Sequence, residues 1–131
     1  MTGSLLDTAQ DCARKSYAGE ISFGDVVSAL AGAGAESYHV DYRGKTTTYY
    51  GSDGQAVSLA LKVPDIDISR SFDKAGIQSA IRGAQRGEIK YPEFLQLSMN
   101  AGCIGYTVWI TGRHVTYFGR RGEEHVEQFP S

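Results

Sequence analysis

Apolar residues recur at two spacings along this chain, and the spacing changes in the same order twice. Leu5, Leu6, Ala9, Cys12, Ala13 and Tyr17 fall on one face of a 3.6-residue repeat, which predicts a helix. Ser4 precedes them and Asp7 follows three residues later, a capping-box pattern. After the turn "AGEIS", Ser22 caps a second helix with Asp25 at its third position, and Phe23, Val26, Val27 and Leu30 are its apolar stripe. Gly34 ends it. The period then falls to two. "YHVDY-RG-KTTTYY" reads as a hairpin turning near Arg43-Gly44, and "GSDG" leads into a third strand, "QAVSLAL". The stretch 62–71, "KVPDIDISRS", is a connector: Pro64 breaks the strand, and Ser69 or Ser71 starts the next helix.

The second half follows the same plan. Shifted by 68 residues and compared without gaps, residues 19 to 54 match their counterparts at 12 positions. Gly19-Glu20-Ile21 falls on Gly87-Glu88-Ile89, and Ala33-Gly34 on Ala101-Gly102. Tyr38 and Val40 fall on Tyr106 and Val108, and Thr48-Tyr49 on Thr116-Tyr117. Gly44, Gly51 and Gly54 fall on Gly112, Gly119 and Gly122. In the second copy Pro92 suits a first helical turn and Glu93 supplies the acid, with Tyr91, Phe94, Leu95, Ser98 or Met99 and Ala101 as the stripe. Self-similarity at a fixed offset marks a repeated structural unit. The expectation is an α+β fold in one domain over residues 1–131. It is a two-layer sandwich from a tandem duplication of an α-α-β-β-β unit (about 4–61 and 72–129), an antiparallel sheet with helices on one face. Val40, Val108, Phe94 and Leu95 are expected in its core. The six repeated glycines read as turn positions with positive φ.

Composition adds limits. With 131 residues, 41% hydrophobic and 21% charged, the chain is an ordinary globular one. A net charge of −2 with no basic block gives no electrostatic footprint for nucleic acid. "MTGSLLDTAQDCARK" lacks the basic and apolar regions of a secretory leader, and no stretch approaches the length of a membrane span, so the expected location is cytoplasmic. Cys12 and Cys103 are isolated and read as small buried hydrophobes.

Candidate chemistry is sparse. His39 and Asp41 alternate in "YHVDY" and so share a sheet face, as a general-base pair or half a metal site would. The second copy has Thr107 and Trp109 there, so such chemistry belongs to the first half alone; a solvated polar face is the plainer reading. A zinc site would need His39 and His114 to converge with a third ligand, and His125 lies on another strand. Asp65 and Asp67 flank the connector's bend and read as solvated. Arg113, Arg120 and Arg121 cluster at turns. "GSDG" leads into a strand and not a helix, which argues against a phosphate cradle. No P-loop, dinucleotide fingerprint or Ser/His/Asp spacing is present, and no metal or cofactor is expected.

The stretches "AGAESYHVDYRGKTTTYYGSDG" and "AIRGAQRGEIKYPEFLQLSMNAGCIGYTVWITGRHVTYFGRRGE" cover most of the chain. Their motifs, G-E-I-x-[FY], A-G, Y-x-V and T-Y-[YF]-G-x-x-G, resemble the YdfO/YbcV-like family of small bacterial and prophage-borne proteins. The resemblance implies a compact two-layer α+β fold in a soluble bacterial protein and carries no activity with it.

Two functional readings follow. One is a non-enzymatic interaction module, homodimeric through the outer sheet face, with His39, Asp41, Tyr50, Trp109, His114 and Phe118 as the contact surface. Aromatic side chains on an otherwise polar face are what suggest it. The other is a small-molecule-binding protein or weak enzyme using the His39, Asp41, Trp109 and His114 set.

Overall fold

The first two helices begin where a serine side chain can satisfy a free backbone N–H group. In the computed structural model, which describes residues 4–130, the Ser4 hydroxyl accepts the Asp7 N–H at 3.1 Å and opens α1 (Leu5–Ala18). Residues 1–3 and 131, included in the one-domain reading and in the reading of the N-terminal stretch, lie outside the described residues. Ser22 does the same for Asp25 and opens α2 (Phe23–Gly32). The strands β1 (Ala35–Asp41), β2 (Thr46–Gly51) and β3 (Ala56–Ala60) follow. Then come α3 (Lys74–Gln85), α4 (Tyr91–Asn100), β4 (Cys103–Trp109), β5 (His114–Gly119) and β6 (Glu124–Gln128). Adding 68 to the bounds of α2, β1, β2 and β3 gives the bounds of α4, β4, β5 and β6. The architecture is α+β, four helices with one six-stranded antiparallel sheet, in the order β3-β2-β1-β4-β5-β6.

The hairpins have the register that a turn centred on Arg43-Gly44, or on its equivalent Thr111-Gly112, produces. Tyr38 pairs with Tyr49 and Val40 with Thr47; Tyr106 pairs with Tyr117 and Val108 with Val115. These eight side chains face the helices and are buried. Tyr38 lies on Tyr49 and Tyr106 on Tyr117 with the same 5.4 Å between ring centroids. The two hairpins join through β1 and β4, where Tyr38 faces Val108, Val40 faces Tyr106, and His39 faces Thr107 at the centre. Val40, Val108, Phe94 and Leu95 are all buried, alongside Leu5, Ala9, Leu30, Ile77 and Ile81 from the helices. Tyr42 is buried too, its hydroxyl 2.8 Å from Ser98 Oγ, which in turn donates to the Leu95 carbonyl.

Several local expectations are corrected. Gly44 and Gly112 do not carry the positive φ; Lys45 (58°) and Arg113 (62°) do. The last ladder pairs, Asp41 with Thr46 and Trp109 with His114, leave four-residue loops, so the left-handed position falls on the residue closing each loop. Gly44 is needed for space instead: a Cβ there would meet Asp41 Oδ2 at 2.5 Å. Gly51 and Gly119 likewise lack positive φ and leave room for Asp53 and Phe72, whereas Gly54 and Gly122 do have it, at 91° and 83°. Neither Ser69 nor Ser71 starts α3; the two bond each other in the connector, and Asp73 is the residue before the helix. Leu6 is exposed, because α1 turns it past the edge of the buried stripe.

Candidate functional site

The repeated Gly-Glu-Ile segments lie at equivalent corners of the fold. Gly19 (φ 71°) and Gly87 (φ 73°) each end a helix in the left-handed conformation. The next N–H in each case, of Glu20 and Glu88, reaches back to the carbonyl of Lys15 and Gly83. This closes α1 and α3 and sends the chain into α2 and α4. The two corners approach one another: a Cβ on Gly19 would touch the Lys90 side chain at 3.1 Å.

Beneath these corners, between the helices and the middle of the sheet, lies a cavity of about 600 Å³. Its floor is Tyr38, Val40, Tyr49, Tyr106, Val115 and Tyr117. Cys12, Ile21, Ile81, Ile89, Tyr91 and Phe94 form its walls. It reaches the exposed residues Glu20, Phe23, Gln85, Gly87, Lys90 and Gln128 at its rim. Aromatic contacts run through it continuously. Tyr17 meets Tyr91 at 5.9 Å, Tyr91 stacks on Phe94 at 6.4 Å, and Phe94 meets both Tyr106 and Tyr117 at 6.2 Å. Burial is the main cause that raises the phenols of Tyr38, Tyr49, Tyr91, Tyr106 and Tyr117 above their usual range, so all five are neutral. Burial likewise raises the Cys12 thiol, and pushes Cys103 up to about 11; both stay protonated.

The six residues singled out from sequence sit on the opposite face of the sheet, and none lines the cavity. His39 Nδ1 is 2.7 Å from Thr107 Oγ1, and its ring lies 6.2 Å from Phe118. Asp41 is occupied locally: its Oδ1 accepts the N–H groups of Arg43 and Gly44 at 3.1 Å each. It closes a turn and makes no pair with His39. Trp109 is 41% exposed, donates from Nε1 to Thr116 Oγ1 at 3.2 Å and lies against the His114 ring at 6.2 Å. Tyr50 is 43% exposed, and Val126 adds a further apolar side chain to this face at 49%. Among the described residues the C-terminal segment does not fold over Trp109. Phe129 turns to the helix side and packs edge-on against Phe23 at 5.7 Å. His39 and His114 belong to no group of three metal-ligating side chains among the described residues. Of the arginine cluster, Arg120 donates to the Ile68 carbonyl and Arg113 lies over the Phe129 ring.

A family profile for proteins of unknown function, DUF1398, matches residues 52–128, more than half of the chain. The chain belongs to the DUF1398 family. The match takes in β3, both helices of the second half and all its strands. The chain is also similar to the uncharacterized protein Mb2035 of Mycobacterium bovis, and to the uncharacterized proteins MT2067 and Rv2012 of two Mycobacterium tuberculosis strains. Each is 30% identical over 59 residues, 45% of this chain. The alignment spans 36% of each relative, about a third of its length.

The cavity of this DUF1398 chain was not read from its sequence, because its tyrosines are indistinguishable by pattern from ordinary sheet packing. One signal was present. At the position 68 residues after Leu59 stands Glu127, an acid on the inward side of β6. It lines the cavity, pairs through Oε1 with Arg82 at 2.6 Å, and through Oε2 lies 3.0 Å from His125 Nε2. No helix among the described residues is long and apolar enough to cross a membrane.

Proposed function

We propose that this protein is a small-molecule-binding module whose ligand occupies the cavity between the helices and the sheet. The observation that carries this reading is the cavity's volume and position. Protein interiors are close-packed and seldom hold voids much larger than a water. A space of about 600 Å³ floored by four tyrosines is of ligand size. It lies under the Gly-Glu-Ile corners, which occur in both halves. The probe for it is N-phenyl-1-naphthylamine, a neutral dye that brightens in apolar surroundings. Saturable binding of one dye per chain is expected, and Ala13→Trp, which places an indole on the half-buried part of the cavity lining, abolishes it while leaving the circular dichroism unchanged. A dye signal that never saturates, or that Ala13→Trp leaves untouched, removes the support for a cavity site.

A second reading is favoured by the outer face, where Trp109, Tyr50 and Val126 are exposed beside Phe118. Here the protein is a homodimeric interaction module. Sedimentation equilibrium would give a dimer that Trp109→Glu converts to a monomer; a dimer unaffected by the buried charge would refute it. Under either reading the two halves are a tandem duplication within one domain, on the strength of the 12 identities and the coinciding element bounds. A YdfO/YbcV-like, prophage-borne origin rests on the motifs quoted above.

A further inference from the structure

We propose that the cavity selects a largely apolar molecule without negative charge, bearing a hydrogen-bond-accepting oxygen received by the hydroxyls of Tyr38, Tyr49 and Tyr117. The inference rests on the ligand-binding reading above and names the ligand's chemistry.

Seven tyrosines lie in or beside the core, and their hydroxyls divide into two groups. Tyr42 bonds Ser98, Tyr91 and Tyr106 bond each other at 2.9 Å, and Tyr17 accepts the Lys62 N–H at 2.7 Å. Tyr38, Tyr49 and Tyr117 bond no protein group among the described residues, although all three side chains are buried. Yet no sealed side-chain polar atom among those residues is without a partner. Their hydroxyls are therefore not sealed, and the space they open on is the cavity they line. With no protein partner, three hydroxyls opening on one largely apolar space are left to bond water or an occupant, and each can donate to an oxygen that accepts hydrogen bonds.

The same lining rejects negative charge. Its charged side chains are Glu20, Lys90 and Glu127. Glu20 and Lys90 are exposed at the rim. Glu127 already has an oxygen on Arg82 and another on His125. Burial holds Tyr38 neutral, with Tyr91, Tyr49 and Tyr117 as lesser contributors, and burial likewise holds Tyr49 and Tyr117 neutral. A carboxylate or sulfonate in the interior would thus meet phenols, rings and the Glu127 carboxylate but no free cation, an unfavourable exchange for its hydration. The floor and walls offer ring edges and faces, which suit a flat aromatic skeleton.

Three naphthalene dyes separate the requirements. N-phenyl-1-naphthylamine is neutral and has no oxygen. 8-Anilinonaphthalene-1-sulfonate has the same skeleton with a fixed negative charge. 6-Propionyl-2-dimethylaminonaphthalene is neutral and carries a ketone. Fluorescence titration of the whole chain is expected to show the sulfonate binding at least about tenfold more weakly than the neutral amine. Tyr49→Phe, which keeps the ring and removes the hydroxyl, weakens the ketone about fivefold and leaves the amine unchanged; Tyr38→Phe and Tyr117→Phe repeat the pattern. A variant that does not fold is recognised by its melting curve, and the other two then carry the test. Equal binding of amine and sulfonate overturns the exclusion of negative charge. Phenylalanine variants that hold the ketone as tightly as the parent overturn the hydroxyl assignment. Either failure leaves the cavity site standing, whereas failure of all three dyes to saturate overturns the site itself.

Discussion

Replacing Phe94 with alanine tests how the helical layer is held to the sheet. Phe94 is 8% exposed and its ring is flanked by Tyr91, Tyr106 and Tyr117. Truncating a buried Phe removes its transfer free energy and leaves a void, together about 3–5 kcal/mol. Phe94 also borders the existing cavity, so part of its surface already lacks close neighbours. That places the expected loss near the lower limit, about 3 kcal/mol. Unfolding entropy of about 2.1 cal/mol/K per residue gives about 0.28 kcal/mol/K for a chain of this length, so the melting temperature should fall by about 11 °C. Scanning calorimetry measures the fall, and urea titration with an unchanged slope confirms that the same cooperative unit is unfolding. Leu97→Ala is the control: that side chain is on the same helix but 43% exposed, and should cost less than about 1 kcal/mol. A loss under about 1 kcal/mol at Phe94, or equal losses at the two positions, would show that the ring does not anchor α4.

Two further outcomes follow from other parts of the fold. Gly34 and Gly102 end equivalent helices with φ of 90° and 88°, but a Cβ on Gly34 meets nothing while one on Gly102 collides with the Ser71 carbonyl. Gly34→Ala should therefore cost about 1–2 kcal/mol of backbone strain and Gly102→Ala clearly more; equal melting temperatures would contradict the close passage of the connector. For pH, Cys103 is raised from 9.0 to about 11 in the folded protein, so the folded state holds its proton where the unfolded chain has lost it. Its stabilising contribution is complete below pH 9 and is lost as pH rises from 9 to about 11, by about 1.4 kcal/mol per unit. The buried tyrosines act in the same direction above their usual value of 10.0. Denaturant midpoints flat from pH 9 to 11 would count against burial of these groups.

What could be read along the chain was whatever depends on neighbours in sequence. Caps at Ser4 and Ser22, the capping acid Glu93 and the Gly34 and Gly102 stops each depend on two or three residues, so the sequence alone determines them. Period-two alternation with a short turn determines that Tyr38 meets Tyr49, since a slip of one residue would turn every apolar side chain outward. The left-handed residue one place beyond Gly44 escaped detection because loop length, set by where the ladder stops, decides it. Tertiary structure alone decided the rest. Pairing of β1 with β4 brings residues 68 apart into contact at His39 and Thr107, and joins the hairpins into one sheet. The outer-face residues were legible as a group because a strand's faces follow from alternation. The cavity was not, because it is bounded by floor and walls from every helix but also by the space they fail to fill. A tyrosine that seals a core and a tyrosine that lines a void have the same periodicity; only the positions of the packed helices, and the partners left to each hydroxyl, distinguish them.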